Sequence, residues 1–162
     1  MTAVSEKARV VAGVDGSELS EHVVRWAAYL AGVTGASLEI VTAWPSLAEA
    51  VSDGAGAGAE HVWDPGRDAR EKTAEILSKV LSGVAADISA VRQTIMPGKP
   101  AKVLIEASEG AHMLVVGRRG HGGFRGLLVG SVSAICSEHA HCPVLVVHEN
   151  TPFPELAVTQ SG

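Results

Sequence analysis

The chain has 162 residues, 46% of them apolar and 19% charged, with a formal net charge of −5. That is the make-up of one globular domain, large enough for a full core. The acidic balance and the lack of a long basic run exclude a general nucleic-acid or anionic-membrane binder, and no stretch approaches the ~18 apolar residues of a membrane span.

Two cysteines, Cys136 and Cys142, make no disulfide framework. The opening MTAVSEKARV lacks the apolar core of a signal peptide. The expectation is a soluble, cytoplasmic, single-domain protein. Residues 1–8 read as a flexible tail, 9–148 as the domain and 149–162 as a second tail.

Arg9 to Val14 is mostly apolar, as suits a strand buried on both faces. Asp15-Gly16-Ser17 turns the chain, and Ser17 is placed to cap a helix running to about Ala31. Leu19, Val23, Trp26, Ala27 and Leu30 share one face of it, and Gly32 or Gly35 ends it. Ser37 to Ala43 reads as a second strand. Trp44-Pro45 then opens an irregular stretch containing Gly54-Ala55-Gly56-Ala57-Gly58-Ala59, a composition that favours a mobile loop.

A helix from about Pro65 to Ala85 carries Ala69, Thr73, Ile76, Leu77, Val80, Leu81 and Val84 as its inner stripe. Ile88 to Ile95 reads as a weaker, edge-like strand. Pro97-Gly98-Lys99-Pro100 is a turn whose last proline suits the first turn of a helix over about 101–109. Met113 to Gly117 is a short buried strand. Val132, Ile135, Cys136 and His139/Ala140 recur at helical spacing over 131–140, and 143–148 closes the series as a strand. Strands alternating with helices imply an α/β fold, a single doubly wound domain whose five-stranded parallel sheet has helices on both faces.

The stretch GRRGHGGFRGLLVGSVS, Gly117 to Ser133, joins a strand to a helix through a glycine-rich loop. Glycines allow close backbone approach to a ligand, and a helix N-terminus offers unpaired N–H groups and partial positive charge to an anion. There is no G-x4-GK[ST] sequence and no G-x-G-x-x-G after the first strand.

Gly117-x2-Gly120-x9-Gly130-Ser131 resembles the nucleotide-binding signature of the ATP-binding universal stress proteins. The opening Val10-Val11-Ala12-Gly13-Val14-Asp15-Gly16-Ser17 and the ending His141-Cys142-Pro143-Val144-Leu145-Val146-Val147 resemble that family's first and last strands. The likeness covers roughly residues 8 to 148. It implies strand order 3-2-1-4-5, which sets strands 1 and 4 side by side at a topological switch point, where ligands bind.

Carried over residue by residue, the resemblance implies that Gly117, Gly120, Gly130, Ser131, Val132 and Ser133 hold phosphates and ribose; beside them Arg118 and His121 are candidates from their position in the loop, each either bonding a phosphate or facing water. It also implies that Asp15 and the end of strand 2 near Ala43 line the adenosine side, and Gly13 and Val14, which lead into Asp15, are candidate binding residues with them. The implied cofactor is ATP with Mg²⁺. The implied function is a nucleotide-dependent stress-response regulator, with a weak ATPase or phosphoryl-transfer enzyme and a cyclic-AMP-binding module as alternatives. A homodimer through Val144, Leu145, Val146 and Val147 is implied as well. Where the family has an acidic residue near position 112, this chain has His112.

The residues also admit plainer roles. Glycine loops often only turn, Ser131 suits a helix cap, and Asp15 suits a helix start. Arg118, Arg119 and Arg125 suit solvated positions, and His22, His61 and His148 read as surface residues. Phe124 suits packing of the loop, Trp26 suits the core, and Trp44 either shields the pocket or anchors the long loop. Cys136, His139, His141 and Cys142 superficially suggest zinc, but their spacing matches no structural zinc pattern. No catalytic residue and no metal ligand is assigned.

Overall fold

The computed structural model describes residues 8–44, 46, 65–82, 90–119 and 130–153. The apolar runs form strands β1 (Arg9–Gly13), β2 (Ser37–Trp44), β3 (Val91–Pro97), β4 (Met113–Gly117) and β5 (Val144–Val147). Helices α1 (Glu18–Thr34), α2 (Pro65–Leu81), α3 (Pro100–Ser108) and α4 (Ser131–His139) alternate with them. All four strand pairings are parallel, in the order β3-β2-β1-β4-β5. The expected fold class and strand order are therefore present.

The central strands are apolar on alternate sides because both faces are covered. Val10 and Ala12 of β1 pack with Leu38 and Ile40 of β2 against α1 and α2, around Val23, Val24, Ala27, Ala28 and Val80. Val11, Val41, Leu114 and Val116 face the other way and pack against Val103 and Leu104 of α3 and Cys136 of α4. Val11, Val23, Val24 and Leu114 are fully buried, each contributing roughly 1.5–3 kcal/mol of hydrophobic stabilisation. Trp26 and Leu30 pack half-buried against the first cluster, and Pro100 stands at the start of α3.

Two local expectations need correction. The third strand spans Val91–Pro97, continuing past the expected end at Ile95, because its ladder with β2 pairs Leu38 with Val91 and Trp44 with Pro97; positions 88 and 89 of the expected strand lie outside the described residues. Pro97 is tolerated because β3 is an edge strand with a partner on one side only. Ser17 occupies the N-cap position of α1 in extended conformation, but its side chain makes no capping bond. The bonds at that turn come from Asp15 and Ser20, as described below.

At the amino end of the sheet the Arg9 guanidinium pairs with the Glu39 carboxylate. It also donates to the carbonyl oxygens of Ala107 (3.1 Å) and Glu109 (2.7 Å) at the end of α3. Thr94 on β3 donates to Glu39 Oε1 at 2.8 Å. Glu39 is buried, and its pairing with Arg9 and its bond from Thr94 meet the requirement that a buried carboxyl have partners. Three strands and a helix end are thus tied by one group of side chains.

Candidate functional site

At the opposite edge β1, β2 and β4 end beside the starts of α1, α3 and α4, and a cavity of about 220 Å³ opens among them. Its apolar lining comes from Leu19 and Val23 of α1, Val41 of β2, Leu104 of α3, Val116 of β4 and Val132 of α4. Its polar lining comes from Asp15, Ser17, Ser20 and Arg119, and Gly13, Val14, Ala43, Pro100 and Gly117 complete it.

Glycine at the two strand ends has a packing reason. A methyl group on Gly13 would stand 2.8 Å from Leu104 Cδ1, and one on Gly117 would stand 2.7 Å from Leu19 Cδ2. Both distances are shorter than carbon atoms tolerate, so the missing side chains let α1 and α3 close onto the strand ends. These helices supply the cavity's apolar walls.

The turn after β1 is built on one carboxylate. Asp15 Oδ1 accepts from the Ser17 N–H at 2.9 Å and from the Ser20 hydroxyl at 3.0 Å. Ser20 Oγ in turn accepts from the Asp15 N–H at 3.1 Å. Gly16 takes φ of +81°, a value side chains resist, and so lets the carboxylate fold back over its own backbone as an Asx turn. Asp15 is therefore both the start signal of α1 and an exposed acceptor at the cavity mouth.

Helix α4 begins differently. Gly130 stands at its N-cap and has no side chain with which to cap the first turn. The Gly130 N–H donates to the Arg118 carbonyl at 2.6 Å, and a methyl on Gly130 would lie 2.8 Å from that same oxygen. The buried Ser133 hydroxyl lies 3.0 Å from the Arg118 carbonyl and 3.1 Å from the Gly130 carbonyl, so it braces the two loop ends against each other. Ser131 is exposed, and Val132 reaches the cavity.

Gly13, Val14, Asp15, Ala43, Gly117 and Val132 thus meet around one space. Gly130, Ser131 and Ser133 form the adjoining helix start. Arg118 turns toward β5, with its guanidinium 3.5 Å from His148 Nδ1 and its N–H on the Val147 carbonyl at 2.8 Å, while Arg119 takes the place on the cavity wall. Beside them the Glu149 carboxyl is held below the usual carboxylate range by its own backbone hydrogen bond and by the charges of Arg118 and Arg119. Gly120, His121, Phe124 and Arg125 lie outside the described residues.

Sequence reasoning missed Leu19, Ser20, Val23, Val41, Leu104 and Val116 as cavity residues. Their apolar spacing marks them as core, and only the gap between β1 and β4 turns core side chains into walls. One signal was available: Val41 lies two residues before Ala43, on the same face of β2.

Cys136 is buried, and burial pushes its thiol up to about 11; burial also raises that of Cys142. Among the described residues no three His, Cys, Asp or Glu side chains gather as metal ligands would, and no helix is long and apolar enough to cross a membrane.

The arrangement offers an apolar slot, a carboxylate acceptor at its mouth, and a helix start with glycine at its N-cap, where backbone N–H groups favour an anion. The Universal stress protein family matches residues 8–148 of the chain. Universal stress protein Rv2623 of Mycobacterium tuberculosis is 34% identical over 150 residues, which cover 90% of this chain and 46% of that protein. Universal stress protein Rv2005c of the same organism is 32% identical over 151 residues, covering 90% and 47%. The chain spans about half the length of these curated relatives.

Among solved structures, a universal stress protein in complex with cAMP matches with a TM-score of 0.62 and 27% identity, over 89% of this chain and 98% of that one. Universal stress protein UspA from Lactobacillus plantarum shares the fold, with a TM-score of 0.67 at 17% identity over 88% and 99%. With its sheet order and a family match across nearly all of its described length, the chain belongs to the universal stress protein family.

Proposed function

We propose that the cavity between the ends of β1 and β4 binds an adenine nucleotide, and that its occupancy sets the protein's shape or partners as a stress-response regulator. One observation carries the reading: an apolar slot, an Asp15 acceptor and the start of α4 meet at one point of the sheet. The slot suits a base, Asp15 suits ribose hydroxyls or a base amine, and the start of α4 suits phosphate.

We take ATP with Mg²⁺ as the first ligand and cyclic AMP as the second. The second is favoured by the solved relative in complex with cAMP, at 27% identity. A nucleotide shifts a conformational equilibrium only by its difference in affinity for the two states, so regulation requires that binding change the cavity walls.

The test is calorimetric titration of nucleotide-stripped protein with ATP/Mg²⁺ and, separately, with cyclic AMP. Ala43→Phe serves as the blocked variant because Ala43 is half-buried on the wall, which makes it a milder change than one at Gly117. Saturable binding lost in the folded variant supports the site. Silence toward both ligands contradicts it.

We also propose a homodimer through β5. That strand lies at a sheet edge with Val144, Leu145 and Val146 half-buried, and an apolar edge seeks a partner. Val146→Asp should lower the mass in solution scattering from dimer to monomer. An unchanged mass would point to another interface.

A further inference from the structure

The segment after β5 does not run away from the domain. His148 N–H donates to Thr151 Oγ1 and Thr151 N–H to the His148 carbonyl, both at 3.0 Å, which turns the chain back across α1. Phe153 lands there. Its ring stacks on His22 with centroids 4.5 Å apart and planes at 24°, and Arg25 lies 4.3 Å from its centre. His22 is accordingly half-buried, unlike the surface residue its scattered position suggests. Glu21 fixes Arg25 at 2.9 Å and also meets Lys79 of α2 at 3.7 Å, so the platform under Phe153 is itself held in place.

Both ends of this segment abut neighbours of the cavity's lining residues. At its root His148 lies against Arg118, which sits between the cavity residues Gly117 and Arg119. At its tip Phe153 covers the flank of α1, whose Leu19, Ser20 and Val23 line the cavity. Among the described residues no hydrogen bond joins Phe153 to α1, and the residue keeps 42% of its surface exposed. Stacking and a cation–π contact hold it, which are modest and separable interactions.

We propose that Glu149–Phe153 is a releasable strap on the flank of α1, beside the candidate site: seated there it holds the first turns of that helix against the cavity, and released it loosens them. The coupling to ligand rests on the nucleotide reading above, whereas the strap does not. Linkage makes the effect reciprocal, so nucleotide in the cavity favours the seated strap.

The experiment is amide hydrogen exchange over residues 18–25 in the full, nucleotide-free chain, comparing the wild type with Phe153→Ala and Phe153→Tyr. Exchange should quicken in Phe153→Ala and return to the wild-type rate in Phe153→Tyr, which keeps the ring. Unchanged exchange in Phe153→Ala overturns the strap. Titration with ATP/Mg²⁺ should then show affinity weakened about fivefold in Phe153→Ala, the low end of ordinary coupling, and restored in Phe153→Tyr. Faster exchange with unchanged affinity overturns the coupling. A wild type that binds no nucleotide overturns the nucleotide reading, and the exchange comparison still decides the strap.

Discussion

The two ends of the sheet are built by opposite means. At the amino end, long charged side chains close on one another: Arg9 on Glu39, Thr94 on Glu39, and Arg9 again on the last carbonyls of α3. At the carboxyl end, glycines and short polar groups shape the backbone, and the larger side chains there are aliphatic walls. A cavity of about 340 Å³ borders the amino-end group as well, so open space does not separate the two ends. The difference is that Glu39 is already satisfied within the protein, while the N-cap of α4 is a glycine, which brings no capping side chain of its own.

Substitutions should separate the two ends. The largest effect is expected from Glu39→Ala, which leaves the Arg9 guanidinium without its buried partner. Loss of about 3 kcal/mol is expected in urea unfolding, with nucleotide affinity of the remaining folded protein unchanged. Equal loss of affinity would mean that the ends are not independent.

Asp15→Ala comes next. It removes the acceptor of the Ser17 and Ser20 bonds and should cost about 1 kcal/mol, as helix-start substitutions do, along with most of the nucleotide affinity. Asp15→Asn keeps the Oδ1 acceptor, so it should retain stability while still weakening binding. That split would separate the two roles of one residue.

The smallest effect is expected on the flank of α1. The hydrogen bond from Arg25, with help from the charge of Lys79, holds the Glu21 carboxyl below its usual range. The unfolded chain binds that proton more readily, so the pair stabilises the protein above the unfolded carboxylate's ordinary value. The contribution is lost as pH falls through the lower folded value. Glu21→Gln should remove about 0.3–0.5 kcal/mol at neutral pH, as surface pairs four residues apart do, and nothing in acid. Melting curves at both pH values check it.

These contrasts also show what could be read from the residues alone. β1, β2 and β4 were legible because burial on both faces makes them continuous apolar runs, and Pro100 marked the start of α3. The end of β3 was misplaced because an exposed edge strand carries little apolar signal; pairing with β2 carries it past Ile95 to Pro97. At the site, Gly13, Asp15 and Gly117 were visible as strand-end residues. Yet the packing of Gly13 under Leu104 and of Gly117 under Leu19 was not, because those contacts join distant elements. The amino-end clamp went unnoticed for the same reason, since Arg9, Glu39 and Thr94 are 30 and 55 positions apart.

The most direct test of the central claim is amide protection mapped on the full chain with and without saturating ATP/Mg²⁺, and again with cyclic AMP. The account predicts new protection at residues 14–20 and 131–134, beside the cavity, and none around Arg9, Glu39 and Thr94. Protection gathered at the clamped end, or no change at either end, would contradict it.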